Sequence, residues 1–450
     1  MLTAFMKTLP LYAALALLAG CSQPTKPESS QASSTPADSV STATAPVELP
    51  APYATKSATK RSKVIDWPAG RTPVVPAGFA ISEYAGNFNS PRWLYVLPNG
   101  DVLVAESNTV PTDVKKRVAA ALDLDPSRSL KSTSANRITL LRDTNQDGKP
   151  EVRETFLADL NQPLGMLVLG RYFYVANTDG VLRYAYEPGQ TRISGSGQKI
   201  LSLPAGGYNN HWTRNLLASA DGSKIYVSVG SGSNVAEHGM ANEKRRANIL
   251  EINPDGSGER VYAAGLRNPV GMAWAPGTTT LWTAVNERDE LGDELVPDYL
   301  TSVKPGAFYG WPYAYFGPHE DPRRKGEAPE LVKQTVVPDV ALGPHTASLG
   351  LAFYTQQRFP TKYHNGAFIG QHGSWNRSSF SGYKVVFVPF QNGRPVGPMQ
   401  DFATGFVASE AGQEVYGRPV GVAVLPDGAL LIADDAGNKV WRVSAAGNSR

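Results

Sequence analysis

Cysteine is nearly absent: Cys21 is the only one in 450 residues. A domain downstream of it has no intrachain disulfide, so its stability must come from packing or metals. Strong charge of either sign is missing too. The net charge is +3, and no Lys/Arg block is interleaved with aromatics, which argues against a nucleic-acid surface. There is no Walker loop, no G-x-G-x-x-G after a strand, no H-E-x-x-H and no G-x-S-x-G, so several common enzyme classes lose support. What is present is 41% hydrophobic and 18% charged content, enough for one large β domain or two ordinary ones. Abundant glycine and proline between short apolar runs point to β-structure with many turns.

The N-terminus carries Lys7, the apolar run LPLYAALALLAG and then Cys21. The run is too short for a membrane span and reads as a signal-peptide core, with Met6 as an alternative start. Leu18-Ala19-Gly20-Cys21 resembles a bacterial lipobox, in which Cys21 is lipidated and becomes the first mature residue. The alternative is an ordinary cleaved signal followed by a chance cysteine. Residues 21–62 are Ser, Thr, Pro and Ala with scattered charges, too poor in large apolar groups to fold. The expected organisation is a signal peptide at 1–20, a disordered tether at 21–62 and a folded domain at 63–450. Lipidation would place the protein in the bacterial cell envelope, facing the periplasm or the exterior, with the anchor as its only membrane contact.

Beyond the tether one unit recurs, a turn containing glycine followed by an apolar strand ending in small or polar residues. It appears as LPNGDVLVAES, VLGRYFYVANTDG, SADGSKIYVSVGS, APGTTTLWTAVNE, NGAFIGQHGSW and LPDGALLIADDAG. Six copies predict an all-β, six-bladed propeller. GVLRYAY, ANILEINP, YKVVFVPF and KVWRVS supply following strands, and GFAISEYAG pairs with the last blade to close the ring. Loops from every blade then converge on one end of the central channel, so a site there draws on residues far apart in sequence.

Several clusters can carry chemistry. RDTNQDGKPEVRE meets an EF-hand loop pattern through Asp143, Asn145, Asp147, Gly148 and Glu154. Its flanks, RITLLR and VRETFL, read as strands of the first blade, which leaves a structural calcium and a solvated turn as alternatives. YNNHWTRNLL presents His211 and Arg214 before a strand, His211 being either a packed residue or a base. GLRNPVGMAW presents Arg267 and Asn268, a brace or a binder of carboxylates and carbonyl oxygens. NERDELGDEL gathers Glu287, Asp289, Glu290, Asp293 and Glu294, which either fan out into water or collect a metal. Arg377 in HGSWNR and Arg418 in GRPVGVAV are surface residues or anion binders in the channel.

HWTRNLLASADGSKIYVSVGS, GLRNPVGMAW, GDEL followed by FYGWPY, and GRPVGVAVLPDG occur in this order in soluble quinoprotein sugar dehydrogenases. The chain resembles their sorbosone and aldose dehydrogenase branch from about residue 75 to the C-terminus. The resemblance implies a propeller that binds pyrroloquinoline quinone and calcium at the channel mouth. It places the catalytic base on His211, oxyanion stabilisation at quinone carbon five on Arg267, and the acid that assists the base on Asp293. Asn268, Arg418 and, more loosely, Arg377 fall on cofactor contacts. Two departures stand out. The family's calcium-holding Gln-Gly-Pro run is replaced by Glu287-Arg288-Asp289, where backbone carbonyls or side chains would hold the metal. Ser231 stands where an aspartate partner of the base is expected, with Glu237 as a possible substitute.

The function this implies is an exported oxidoreductase oxidising a sugar or sugar-derived aldehyde of aldose or sorbosone type. Hydride passes to the quinone with calcium as Lewis acid, and electrons leave to an external quinone or cytochrome. The competing readings are a non-catalytic binding propeller and a calcium-dependent lactonase-type hydrolase, whose metal would sit on Asn, Asp and Glu side chains from several blades.

Overall fold

The computed structural model describes residues 47–111 and 133–447, together with 118, 122, 126 and 127. They lie in the larger of two units, Ser39–Arg450. The expected signal peptide, the lipidation site Cys21 and residues 22–46 of the tether lie outside the described residues. Among the described residues no helix is long and apolar enough to cross a membrane.

The chain forms a β-propeller of four-stranded antiparallel sheets, of which the described residues make six. Sheet I holds Pro91–Val96, Val102–Glu106, Arg137–Arg142 and Val152–Leu157. Sheet II holds Met166–Leu169, Tyr172–Asn177, Gly180–Ala185 and Gln198–Ser202. Sheet III holds Arg214–Ala218, Ile225–Val229, Asn248–Ile252 and Arg260–Ala264. Sheet IV holds Pro269–Trp274, Leu281–Val285, Pro297–Val303 and Val340–Pro344. Sheet V holds Ser348–Phe353, Ala367–Gln371, Lys384–Val388 and Gln400–Ala403. Sheet VI holds Pro419–Val424, Leu430–Asp434 and Lys439–Ala445, and its outer strand is Phe79–Ala85 from the start of the domain. That strand pairs antiparallel with Lys439–Ala445, the closure expected for GFAISEYAG.

Each of the six repeated units supplies the second strand of a sheet. These strands are buried along their length, Tyr172 excepted, because each sheet is covered on both faces by its neighbours. Burial on two faces explains why they read as continuous apolar runs and not as alternation. Between sheets IV and V, for example, Trp282 and Leu300 pack with Phe353, Ile369 and Val386. First strands of successive sheets touch around the channel, and Val168 N donates to Tyr95 Oη, 3.0 Å away, between sheets II and I. The approach is close enough that a Cβ on Gly350 would lie 2.0 Å from the Val420 carbonyl oxygen.

Residues 47–62, assigned by composition to the disordered tether, lie against the domain. Tyr53 N donates to Leu291 O (2.7 Å) and Lys60 N to Trp375 O (2.8 Å). Thr55 Oγ1 accepts from Asp293 N (2.7 Å) and Ser57 Oγ from Gly292 N (3.2 Å). Asn376 Nδ2 donates to Ala58 O (2.9 Å). Lys63–Val64 then pairs in parallel with Glu414–Val415. Tether composition misleads here because polar backbone, and not buried apolar side chains, makes most of these contacts.

Candidate active site

In an antiparallel sheet the start of the first strand and the end of the second lie at the same end. Residues at those two positions of each sheet therefore converge, and they line a cleft of about 480 Å³. Arg92 begins sheet I, His211 precedes sheet III, Arg267 and Asn268 precede sheet IV, His345 precedes sheet V and Arg418 precedes sheet VI. Asn286 and His372 follow the second strands of sheets IV and V. Leu164, Val270, Leu349 and Val420 add apolar surface. A larger depression of about 610 Å³ between sheets II and III brings together no comparable set of histidines and arginines.

His211 is held in a defined protonation state. Its Nδ1 lies 3.0 Å from Ser231 O and 2.9 Å from Ser231 Oγ, while Ser231 Oγ donates to Ser233 O at 2.7 Å. Both partners therefore accept at Nδ1, which must carry the proton, so Nε2 keeps its lone pair. Burial, then the charge of Arg267, and further the charges of Arg214 and Arg246, holds the His211 pKa well below the ordinary histidine value, against the hydrogen bond to Ser231. Arg214 braces the loop by donating to His211 O (2.6 Å), Thr213 O (3.0 Å) and Pro204 O (2.8 Å). Its own pKa falls to about 9 through burial and the charge of Arg246. Ser231 thus occupies the ring nitrogen that an aspartate would take. Glu237 does not substitute: it caps the backbone N–H groups of Asn234 and Val235.

Opposite chemistry holds at His345. Its Nε2 faces Gly292 O (2.9 Å) and its Nδ1 faces Asp289 Oδ1 (3.2 Å), two acceptors that call for an imidazolium. Burial opposes that charge, but the hydrogen bond and charge of Asp289, with the Gly292 carbonyl, outweigh it and raise the pKa. His372 is pushed the other way, its pKa lowered to about 4 by burial and Arg418 against the pull of Asp435. It meets Asp435 through Nε2 (2.8 Å), and Asp435 also accepts from Arg92 Nη1 (2.5 Å).

The remaining expected residues divide. Arg267 lies beside His211's loop, but its donors face Asn234 O (3.1 Å), Asn234 Oδ1 (2.9 Å), Asn286 O (3.3 Å), Glu287 O (2.6 Å) and, most weakly, Asp289 Oδ2 (3.5 Å). It brings charge to the cleft more than a free donor fork. Asn268 Oδ1 is buried without a hydrogen bond. Arg418 donates to His372 O and Gly373 O, both at 3.0 Å. Asp293 is displaced from the cleft: its carboxylate accepts from Ser378 N and Ser378 Oγ. Arg377 goes with it, donating to Asp293 O (3.2 Å) and pairing with Glu294. The strap at 53–57 tethers the Leu291–Asp293 backbone and turns these side chains outward.

The expected metal run is also rearranged. Arg288 is wholly buried, paired with Glu287 (2.9 Å) and Asp321 (3.0 Å), and directs its charge away from the cleft. The Glu287 carbonyl accepts from Arg267, and that of Asp289 from Arg323 Nη1 (2.9 Å) and Asn234 Nδ2 (3.2 Å). In the EF-hand-like loop, Asp143 and Asp147 are joined by Glu151, not by Glu154. Glu154 lies in the fourth strand of sheet I and pairs with Arg192 (3.2 Å) because strand alternation points it elsewhere. Asn145 Oδ1 accepts from Asp147 N (2.8 Å) within the turn.

Arg92, His345, His372 and Asp435 escaped the sequence reading. The available signal was position within the repeat: His372 directly follows AFIGQ and Asp435 directly follows LLIAD, the same place in two sheets.

A family model described as TrAA12-like matches residues 73–306 and 323–446. An uncharacterized protein of Borreliella burgdorferi is 30% identical over 302 residues, covering 64% of this chain and 77% of that protein. The Escherichia coli aldose sugar dehydrogenase is 29% identical over 201 residues, 43% of this chain and 46% of the enzyme. The pyrroloquinoline quinone-dependent pyranose dehydrogenase of Coprinopsis cinerea is 22% identical over 429 residues, 82% of this chain and 54% of the enzyme. The holo form of its PQQ domain superposes with a TM-score of 0.65 at 20% identity, covering 84% of this chain and 100% of the domain. This chain spans about half the length of the two curated dehydrogenases.

Proposed function

This chain belongs to the TrAA12-like family, and we propose that it is a quinone-dependent sugar dehydrogenase whose six sheets are the blades of a six-bladed propeller. The observation that carries the proposal is His211, a neutral imidazole with its lone pair on Nε2 at the wall of a cationic cleft. Nε2 takes the proton of a substrate hydroxyl as the hydrogen on the same carbon leaves with its electron pair. Ser231 holds the ring orientation, and Arg267 adds positive charge that favours an ionised substrate oxygen nearby.

The residues fit pyrroloquinoline quinone. Arg92, Arg267 and Arg418 offer charge to its carboxylates, the orphaned Asn268 amide oxygen awaits a donor, and the apolar residues at the strand starts suit a flat ring. When bound, this group supplies the acceptor for the hydride. The Glu287-Arg288-Asp289 run does not fit calcium, since the Asp289 carbonyl already accepts from two protein donors, the Glu287 carbonyl accepts from the cationic Arg267, and the buried Arg288 lies between them. A hydrolase reading needs carboxylates open to a metal in the channel, whereas Asp289 and Asp435 are engaged by His345, His372 and Arg92. A binding propeller leaves the enforced tautomer of His211 without a purpose.

Full-length protein reconstituted with pyrroloquinoline quinone is expected to reduce an artificial dye with aldoses, and His211→Ala to lose about 10²–10⁴-fold of that turnover while still binding the quinone. Because the His211 pKa is depressed, the acid limb of the rate profile should fall well below pH 6.5. Near-normal dye reduction by the variant would remove His211 from the mechanism.

A further inference from the structure

The strap at 47–62 precedes the stretch matched by the family model, which begins at residue 73, yet it contributes Arg61 and Ser62 to the cleft wall. On either side of Arg61 the chain is fastened. Lys60 N donates to Trp375 O (2.8 Å), and Lys60 Nζ pairs with Glu410 (3.2 Å). Ser62 is buried, and Lys63 N donates to Gln413 O (2.7 Å). With its backbone so held, Arg61 lies over the Trp375 ring, 5.2 Å from the centroid, and Trp375 keeps 37% of its surface open at the same cleft.

The charge of Arg61 differs from that of the other cleft arginines. Arg92 is paired with Asp435, Arg267 faces carbonyls and Asp289, and Arg418 donates to two carbonyls. Of the two glutamates of the cleft, Glu237 caps backbone N–H groups, while Glu290 is largely exposed, 4.0 Å from Arg323 and with no carboxylate contact to Arg61. Among the described residues no carboxylate pairs with Arg61. Its guanidinium is solvent-exposed, lies over the indole and carries a planar donor fork that matches a carboxylate. The open part of the Trp375 indole offers the apolar surface on which the C–H face of a pyranose rests.

We propose that Arg61 and Trp375 form a saccharide subsite at the cleft mouth that selects sugars bearing a carboxylate, of the uronic acid type. The carboxylate engages the Arg61 fork and the ring lies on the indole, which leaves the hydroxyl to be oxidised directed along the cleft. The subsite rests on the reading of the cleft as a sugar-oxidising centre, so its test uses binding as well as turnover.

The test is calorimetric titration of full-length protein, with and without pyrroloquinoline quinone, using glucuronate and glucose as probes at low salt. Glucuronate is expected to bind about tenfold more tightly than glucose, the size of one charge-assisted hydrogen-bonded pair. Arg61→Ala should bring that ratio close to one, Arg61→Lys should restore part of it, and Trp375→Ala should weaken both sugars. Equal binding of the two sugars by the unaltered protein overturns the subsite, as does a preference that survives Arg61→Ala. A variant that loses quinone affinity but keeps its sugar preference makes Arg61 a cofactor contact and also overturns it. Arg61-dependent glucuronate binding without oxidation of any sugar by the reconstituted protein would uphold the subsite and defeat the dehydrogenase reading.

Discussion

Residues 143–151 and 286–294 are the two acidic stretches of the chain that invite a metal, and their carboxylates have different fates in the fold. In the first, all three acids stay within one turn at the edge of sheet I. Asp143 accepts from Asp147 N (3.2 Å) and Gly148 N (2.8 Å), Asp147 from Lys149 N (2.8 Å), and Glu151 from Thr144 N and Oγ1 (both 2.7 Å). Repulsion is relieved locally, by backbone N–H groups and the Thr144 hydroxyl of the turn itself. In the second, the acids are dispersed. Glu287 goes into the interior with Arg288, Asp289 into the cleft with His345, Asp293 outward to Ser378 and Glu294 to Arg377. A turn with its strands satisfied on both sides keeps its charges together. A loop squeezed between a neighbouring sheet and the strap separates them, each to the partner its direction permits.

The dispersal is most severely tested at Arg288. Replacing it with Ala leaves Glu287 and Asp321 buried without their cation, and the expected loss is about 3–5 kcal/mol by chemical denaturation. A loss below about 1 kcal/mol would mean that the pair is hydrated and that this loop is closer to the first than it looks.

Asp289→Asn has an intermediate effect with a pH signature. The folded pKa of His345 is raised by Asp289, so the stability gained from its protonation is complete below the unfolded value and is lost as pH rises through the folded one. The variant lacks that gain, so its deficit relative to the native protein should be largest below about pH 6.5 and shrink in alkali. Denaturation curves across that range check it, and a pH-independent deficit would show that the Asp289 side chain acts through its contact with Arg267 and not through the charge of His345.

Least is expected from the turn. Asp143→Asn with Asp147→Asn should alter stability by less than about 1 kcal/mol and leave dye reduction unchanged, as exposed polar turns do. Thermal unfolding with and without calcium sharpens the contrast: a calcium-dependent rise in Tm that disappears in the variant would make this loop a metal clip and end the likeness to a plain turn.

How much was legible in the chain follows from what each feature depends on. The repeated turn and strand, the order of sheets and the closing strand GFAISEYAG depend on local turn chemistry and on burial of both faces, and both leave a mark in adjacent residues. His211, Arg267, Asn268 and Arg418 were also within reach, since they sit at the starts of first strands, where the propeller topology sends side chains to one end. Only the tertiary structure decided who their neighbours are. His372 meets Asp435 across 63 positions and Asp435 meets Arg92 across 343, distances closed by ring formation and not by any local pattern. It also decided which way loop side chains turn: Asp293 and Arg377 left the cleft, Asp289 and Arg61 entered it, and Glu154 faced Arg192. The reason is that sequence periodicity encodes whether a residue is buried, whereas the identity of its partner is set by packing between segments that become neighbours only once the sheets have closed.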